Sequence, residues 1–248
     1  MANWNDPQSD RTGFGASPSL NGNAMGRATV VDQGLRRYML SIYNYMVSGV
    51  LLTGIVALVT ANSGLAAQIF STPLRWVVAL APLGFVMAIS FGFQRMKQST
   101  LQMLFWAFCV IMGLSMSAIF MVYTGPSIAS TFFATSAAFA GLSLVGYTTK
   151  RDLSGMGSFL IMGLVGIIVA SIINMIWPMP GMAFAISILG VLIFAGLTAY
   201  DTQRLKETYV HVAGTDMAGK VVIMGALSLY LDFVNMFQFL LSFLGSRE

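Results

Sequence analysis

Hydrophobic and polar residues follow each other along this chain in long blocks. After a polar first segment come seven runs of more than 20 predominantly apolar residues, separated by short polar or glycine- and proline-containing segments. About 20 such residues are needed for an α-helix to cross the hydrocarbon core of a bilayer, so each run predicts a membrane-spanning helix. The predicted spans are 38–60, 75–95, 100–122, 127–148, 157–177, 182–205 and 221–244.

The block before the first span is of a different kind. Residues 1–34 are rich in Gly, Asn, Ser and Asp and show no apolar periodicity, which predicts a disordered tail. The tail has no apolar core of a secretory signal, and its acids Asp6, Asp10 and Asp32 argue against a mitochondrial transit peptide. We therefore expect a tail over 1–34 and one transmembrane domain over 35–248.

Composition strengthens the assignment to an all-α integral membrane protein. Hydrophobic residues make up 56% of the chain and charged residues 9%, whereas about 25% of an ordinary soluble domain is charged. The lipid bilayer is therefore the predicted surroundings. The formal net charge is +4, but the basic residues are scattered over connecting segments, which is not the clustered patch that binds nucleic acid. We expect no nucleic-acid partner.

The basic residues alternate from one side of the predicted bundle to the other. They lie in the tail and in the second, fourth and sixth connections, and they are rare in the others. By the positive-inside rule this places the amino terminus in the cytoplasm and the carboxyl terminus outside. The residues concerned are Arg11, Arg27, Arg36, Arg37, Arg95, Lys97, Lys150, Arg151, Arg204, Lys206 and Lys220.

The last span carries a polar stripe. Its polar and small residues recur every three or four positions, which places them on one face of a helix. Lipid cannot satisfy their hydrogen bonds, so we expect this helix to lie centrally, with the stripe against protein or a water-filled cavity. The stripe consists of Gly225, Ser228, Asp232, Asn235, Gln238 and Ser242.

Small residues also recur at helix-packing spacing in the third and fourth spans. Gly113 with Ser117 and Ala137 with Gly141 are two such pairs. Small residues four positions apart let the backbones of two membrane helices approach closely. We therefore expect both pairs to lie at helix–helix contacts in a compact bundle.

Asp232 is the carboxylate of the stripe, and it needs a partner. An acid at the centre of a membrane helix is disfavoured by roughly 2.5–3.5 kcal/mol on insertion scales. The other acid at comparable depth is Asp201, in the predicted sixth span. If the sixth helix continues to about Glu207, both carboxyls lie in the cytoplasmic half of adjacent antiparallel helices. A purely structural acid at 232 and an ion pair of Asp201 with Arg204 remain alternatives.

Two chemistries would use such a pair. The acids could share a proton, because two close carboxylates in a low dielectric do not ionise together easily, and loss of that proton would push the helices apart. The acids could also form a weak, transient site for Ca²⁺, which prefers oxygen ligands. An enzyme is not expected. The GxGD stretch of intramembrane aspartyl proteases, the GxSG loop of membrane serine proteases and a HExxH zinc motif are all missing from the sequence.

Two stretches in the last third of the chain resemble the Bax inhibitor family, and most closely its bacterial branch. They are GLTAYDTQRLKETY and ALSLYLDFVNMFQFLLSFLGSRE, and VDQGLRRYMLSIYNYM near the first span adds to the match. The resemblance implies a fold with two three-helix layers around a central seventh helix. It also implies a pH-dependent calcium leak, controlled by two hydrogen-bonded aspartates that correspond to Asp201 and Asp232.

The resemblance makes further expectations specific. A basic residue at the end of the second span can engage the pair in the family, and Arg95 is the nearest match here. Calcium and protons are the expected partners, with calcium as the permeant ion and no cofactor. A bacterial inner membrane is the expected location. Other relatives are linked to membrane-protease control and stress protection, so a regulator that binds a membrane protease without transporting ions is the alternative function.

Overall fold

The computed structural model describes the backbone of residues 20–179 and 181–246, and the side chains from Gln33 onward. These residues form eight α-helices and one 3-10 turn, Ser117–Met121. The helices are α1 (Leu20–Asn62), α2 (Leu65–Ser71), α3 (Leu74–Gly92), α4 (Gln98–Met116), α5 (Gly125–Thr148), α6 (Ser154–Ile176), α7 (Met182–Val212) and α8 (Met217–Leu244).

The predicted number of spans is confirmed. Within the described part of the chain, seven helices are long and apolar enough to cross a membrane, and all of them coincide with a predicted span. The additional helix, α2, is seven residues long and lies in the connection between the first two spans. The chain is therefore an all-helical membrane protein.

Two helix ends differ from the sequence prediction. Helix α1 begins at Leu20, so the later part of the predicted tail is helical, while residues 1–19 lie outside the described residues. Helix α7 continues to Val212 instead of ending at 205. Hydropathy finds only the apolar part of a helix, whereas extending an existing helix needs just one further backbone hydrogen bond per residue and no new nucleus.

Helix α8 is the most enclosed of the seven spanning helices. It packs against α1, α4, α5 and α7, and more of its most apolar window is buried than in any other span. The expectation of a central last helix agrees with these contacts. The grouping of the other six spans into two layers stays a prediction.

A buried hydrogen-bond network joins three of these helices. The hydroxyl of Thr53 in α1 donates to the carbonyl oxygen of Cys109 in α4, 2.9 Å away. The same hydroxyl lies 2.7 Å from the hydroxyl of Tyr230 in α8, so Tyr230 donates to it. Hydrogen bonds between membrane helices stabilise by roughly 0.6 kcal/mol on average, so this network mainly fixes which faces of the three helices meet.

The prediction that both pairs of small residues lie at helix–helix contacts holds for one pair and not for the other. Gly113 lies against Val56 and the carbonyl of Thr53, so it does mark a close approach of α4 to α1. Gly141 faces open space, so the prediction of a contact there is wrong. The packed face of α5 is instead the one that carries its buried residues, Thr131, Thr135, Phe139, Ser143 and Gly146. Spacing alone does not tell which of several small-residue faces meets a neighbour.

Candidate functional site

The polar stripe of α8 faces α7 along much of its length. The two helices run antiparallel, and their contacts keep a constant register from one end of the interface to the other. Contacts pair Gly225 with Leu205, Ser228 with Asp201, Gly190 with Phe239, and Ser242 with Ser187. The sequence argument placed the stripe on one helix face, and the structure shows that α7 is the neighbour that this face meets.

Asp201 and Asp232 are brought together at this interface. The Asp201 carboxyl is hydrogen-bonded by the hydroxyl of Ser228, which lies one helical turn before Asp232 on α8. Asp232 is 5% exposed, and it lies within range of the charge of Asp201. Residues four apart on a helix lie one above the other, so Ser228 and Asp232 present their side chains to Asp201 from the same face.

One oxygen of the Asp232 carboxyl has no hydrogen-bond partner among the described residues. This oxygen, Oδ2, is fully buried. A buried polar atom without a partner is disfavoured by roughly 1–3 kcal/mol, and more if it is charged. The Asp232 carboxyl therefore has one oxygen whose hydrogen bond no described residue supplies.

The depth of the pair differs from the sequence estimate. Asp201 precedes the end of α7 at Val212 by 11 residues, or about 16 Å of helix, and Asp232 follows the start of α8 at Met217 by 15 residues, or about 22 Å. Both values exceed those expected because both helices extend further than their apolar parts. Asp232 therefore lies near the middle of α8 and not in the half nearer to its start.

The remaining stripe residues have separate environments. The amide of Asn235 donates to the carbonyl oxygen of Leu231 at 2.8 Å, which is a bond within its own helix. Gln238 is exposed and lines a small cavity together with Ser242. The stripe is therefore enclosed by protein near Asp232 and open near the carboxyl-terminal end of α8.

Two basic residues, Arg95 and Arg204, are candidate partners of the aspartate pair. Arg95 is exposed in the segment between α3 and α4, and its engagement with the aspartates stays a prediction. The positive charge that acts on Asp201 is that of Arg204, which is itself exposed. Arg95 follows the end of α3 at Gly92, and α3 packs mainly on α4.

Carboxylate, thiol and imidazole groups are not clustered around the pair in the described part of the chain. Among the described residues, no group of three or more His, Cys, Asp or Glu side chains could hold a metal ion. Stable Ca²⁺ sites take six to eight oxygen ligands.

The family model described as "Inhibitor of apoptosis-promoting Bax1" matches residues 35–248, which overlap all seven candidate spans found among the described residues. The chain belongs to the Bax inhibitor family. This confirms the resemblance inferred from the sequences around Asp201 and Asp232.

Bacterial relatives align over most of their own length. An uncharacterised protein of Rickettsia prowazekii is 46% identical over 88% of this chain and 92% of its own length. An uncharacterised protein of Caulobacter vibrioides is 47% identical over the same shares. The inner membrane protein YbhL of Escherichia coli is 43% identical, over 87% of this chain and 94% of its own length.

Gln203 holds a connecting segment in this Bax inhibitor family protein, and the sequence did not indicate it. Its side chain lies two residues after Asp201 and is buried. Its Oε1 accepts from the backbone N–H of Leu153 at 2.8 Å, and its Nε2 donates to the carbonyl oxygen of Arg151 at 2.8 Å. A glutamine in a polar helix end normally faces water, so only the tertiary contact shows that it ties the connection between α5 and α6 to α7.

Replacing Gln203 by leucine should release that connection. Both hydrogen bonds disappear, and two backbone groups lose their partners, at roughly 0.5–1.5 kcal/mol for each bond. We expect hydrogen exchange at residues 150–154 to become about tenfold faster, since about 1.4 kcal/mol corresponds to a factor of ten.

Gln203→Glu is the matched comparison, because glutamate keeps the acceptor for Leu153 and loses only the donor to Arg151. It should give an intermediate exchange rate. Unchanged exchange in the leucine variant would show that other contacts hold the segment.

Proposed function

We propose that the protein is a pH-sensitive leak channel for calcium, gated by Asp201 and Asp232. The observation that carries the proposal is the buried, unpartnered oxygen of Asp232 beside a second carboxyl. The hydroxyl of Ser228, one helical turn away on the same face of α8, is hydrogen-bonded to Asp201. A carboxylic acid proton shared with Asp201 would supply the hydrogen bond that Asp232 otherwise lacks.

The pair would couple protonation to helix position. With one proton shared, the two carboxyls attract each other through a hydrogen bond, and α7 and α8 stay packed. When that proton is lost, two negative charges face each other in a low dielectric, where repulsion is far stronger than in water. Separation of α7 from α8 would relieve the repulsion and admit water and cations. The pair would thus favour the closed state at low pH and the open state at higher pH.

Calcium would be the cargo of this path and not a resident cofactor. The oxygens at the pair suit a hard cation in kind, and their small number suits weak binding. A conducting site must bind well enough for an ion to enter and weakly enough for it to leave. The role that we propose is therefore conduction, with no catalytic step.

The direct test is calcium flux into liposomes that contain the purified protein and a calcium-sensitive dye. We expect flux above that of empty liposomes, and we expect the flux to rise as pH increases through the range in which the pair loses its shared proton. Flux equal to that of empty liposomes at every pH would exclude the channel.

A non-transporting regulator of a membrane protease or of a stress response is the second candidate function. A groove between α1 and α5 favours it. The groove consists of two adjoining cavities, one of about 760 Å3 and one of about 390 Å3. Phe233 of α8 lines both of them. A membrane helix of a partner could pack into such a groove.

The two candidates can be separated by the aspartates. A regulator that uses the groove should crosslink to one defined membrane protein from positions such as Leu40 and Leu144, which line it. Its cellular phenotype should not change in the Asp201→Asn and Asp232→Asn variants. For either function we propose a bacterial inner membrane as the location, with the amino terminus in the cytoplasm.

A further inference from the structure

A polar cavity lies near the end of α6, the start of α7 and the end of α8, on the same side of the bundle as the carboxyl terminus. Its volume is about 240 Å3. Five side chains that line it carry neutral oxygens: Ser171, Asn174, Ser187, Gln238 and Ser242. They come from three different helices, and no carboxylate is among them. This side of the bundle is the one predicted to face outward.

The cavity reaches well into the span of α8. Gln238 precedes the end of α8 at Leu244 by six residues, which is about 9 Å of helix. Its side chain is exposed, although it lies in a membrane-spanning helix. Polar groups at membrane depth must face protein or water, because lipid offers them no hydrogen bonds. Water in the cavity would satisfy this requirement.

An aromatic pair separates the cavity from Asp232. Phe239 lines the cavity, and its ring stacks on that of Phe194 from α7, with 5.8 Å between the ring centroids. The ring of Phe239 lies directly against Gly190, where a Cβ would overlap it. Asp232 is buried beyond this pair, about two helical turns further into α8.

We propose that this cavity is an outer vestibule for a hydrated cation and that the Phe194–Phe239 stack closes the path between the vestibule and Asp232. Neutral hydroxyl and amide oxygens replace part of a hard cation's hydration shell without holding it tightly. An apolar constriction excludes water, and with it the ion, until the rings move apart. This assignment rests on the proposed channel function, but the hydration of the cavity can be tested without measuring any flux.

Thiol accessibility tests the vestibule. Cys109 is the single cysteine, and it is buried, so a Cys109→Ala background leaves each introduced cysteine alone. In this background, Gln238→Cys is compared with Leu189→Cys for reaction with a charged, membrane-impermeant methanethiosulfonate added from the carboxyl-terminal side. Leu189 is the matched control, because it follows the start of α7 by seven residues and its apolar side chain is 53% exposed outside the cavity.

We expect Gln238→Cys to react at least about tenfold faster than Leu189→Cys, because a thiol must ionise in water before it reacts. Equal rates would overturn the vestibule. For the gate, Asn235→Cys should react slowly with Phe239 present and at least about tenfold faster after Phe239→Ala, for the same reason. In the Phe239→Leu variant an apolar side chain still fills the position, so the thiol of Asn235→Cys should still react slowly. This variant controls for loss of folding.

Each part of the proposal has its own outcome. If the thiol of Asn235→Cys already reacts fast with Phe239 present, the aromatic stack is no barrier. Fast labelling of Gln238→Cys in a protein that gives no calcium flux would support a water-filled cavity, but it would exclude the channel function and overturn the role of the cavity as an ion vestibule. Flux without labelling would support the channel and place its path elsewhere.

Discussion

Replacing Asp232 by asparagine is expected to abolish the pH dependence of calcium flux and to hold the flux at the low level of acidic pH. Asparagine has nearly the shape of the protonated acid and has no proton to lose, so it fixes the position in its neutral state. Deprotonation of the wild-type pair would add charge repulsion in a low dielectric, well above the roughly 1.4 kcal/mol that shifts a two-state equilibrium tenfold. We therefore expect flux at alkaline pH to fall at least about tenfold in Asp232→Asn liposomes, on the same grounds.

Asp201→Asn should have the same direction of effect, because either substitution removes one of the two charges. The matched control is Asp152→Asn, in the connection between α5 and α6. Asp152 is exposed, and the hydrogen bonds from the Ser154 side chain and backbone hold the pKa of its carboxyl below the usual value, so it stays ionised throughout the working range. Its substitution should leave the pH profile unchanged. A wild-type profile in Asp232→Asn would mean that the pair only holds the helices together.

Replacing Gly146 by alanine is expected to destabilise the protein strongly. Gly146 lies at a close approach of α5 to α7, and a Cβ there would overlap the carbonyl group of Ala199. The obstructing atoms belong to the backbone, so the two helices themselves must separate. Overpacking of this kind destabilises by roughly 1–3 kcal/mol and occasionally more. We expect a fall of about 2–12 °C in the melting temperature, at roughly 2–4 °C for each kcal/mol in a protein of this size.

Gly141→Ala on the same helix provides the control. Gly141 faces open space, so alanine there meets no obstacle and brings only the higher helix propensity of alanine over glycine, roughly 0.5–1 kcal/mol. Thermal unfolding of the two variants in the same detergent should therefore move in opposite directions. Equal stability of Gly146→Ala and the wild type would show that α5 and α7 can move apart without loss.

The sequence was a good guide to what lipid demands of each segment. An apolar run of about 20 residues has one stable form in a bilayer, because only a helix satisfies its own backbone hydrogen bonds there. The seven spans could therefore be counted without any tertiary information. The stripe on the last span and the acid at its centre followed from helical periodicity alone, and the sequences around Asp201 and Asp232 identified the family.

Sequence reasoning failed where the result depended on which helix faces meet. Ala137 and Gly141 have the right spacing for a contact, but the packed face of α5 is that of Gly146. Gln203 had no signal at all in the sequence, because its two hydrogen bonds join residues about 50 positions apart.

The sequence by itself determined that the chain spans a membrane seven times and that one buried face of the last helix is polar. Only the tertiary structure decided that α7 covers that face, with Asp201 level with Ser228 and Asp232 one turn further in. The physical reason is that hydropathy and periodicity act within one helix, along a few turns of backbone. The register between two helices is set by side-chain packing over their whole interface, and residues far apart in the sequence contribute to it.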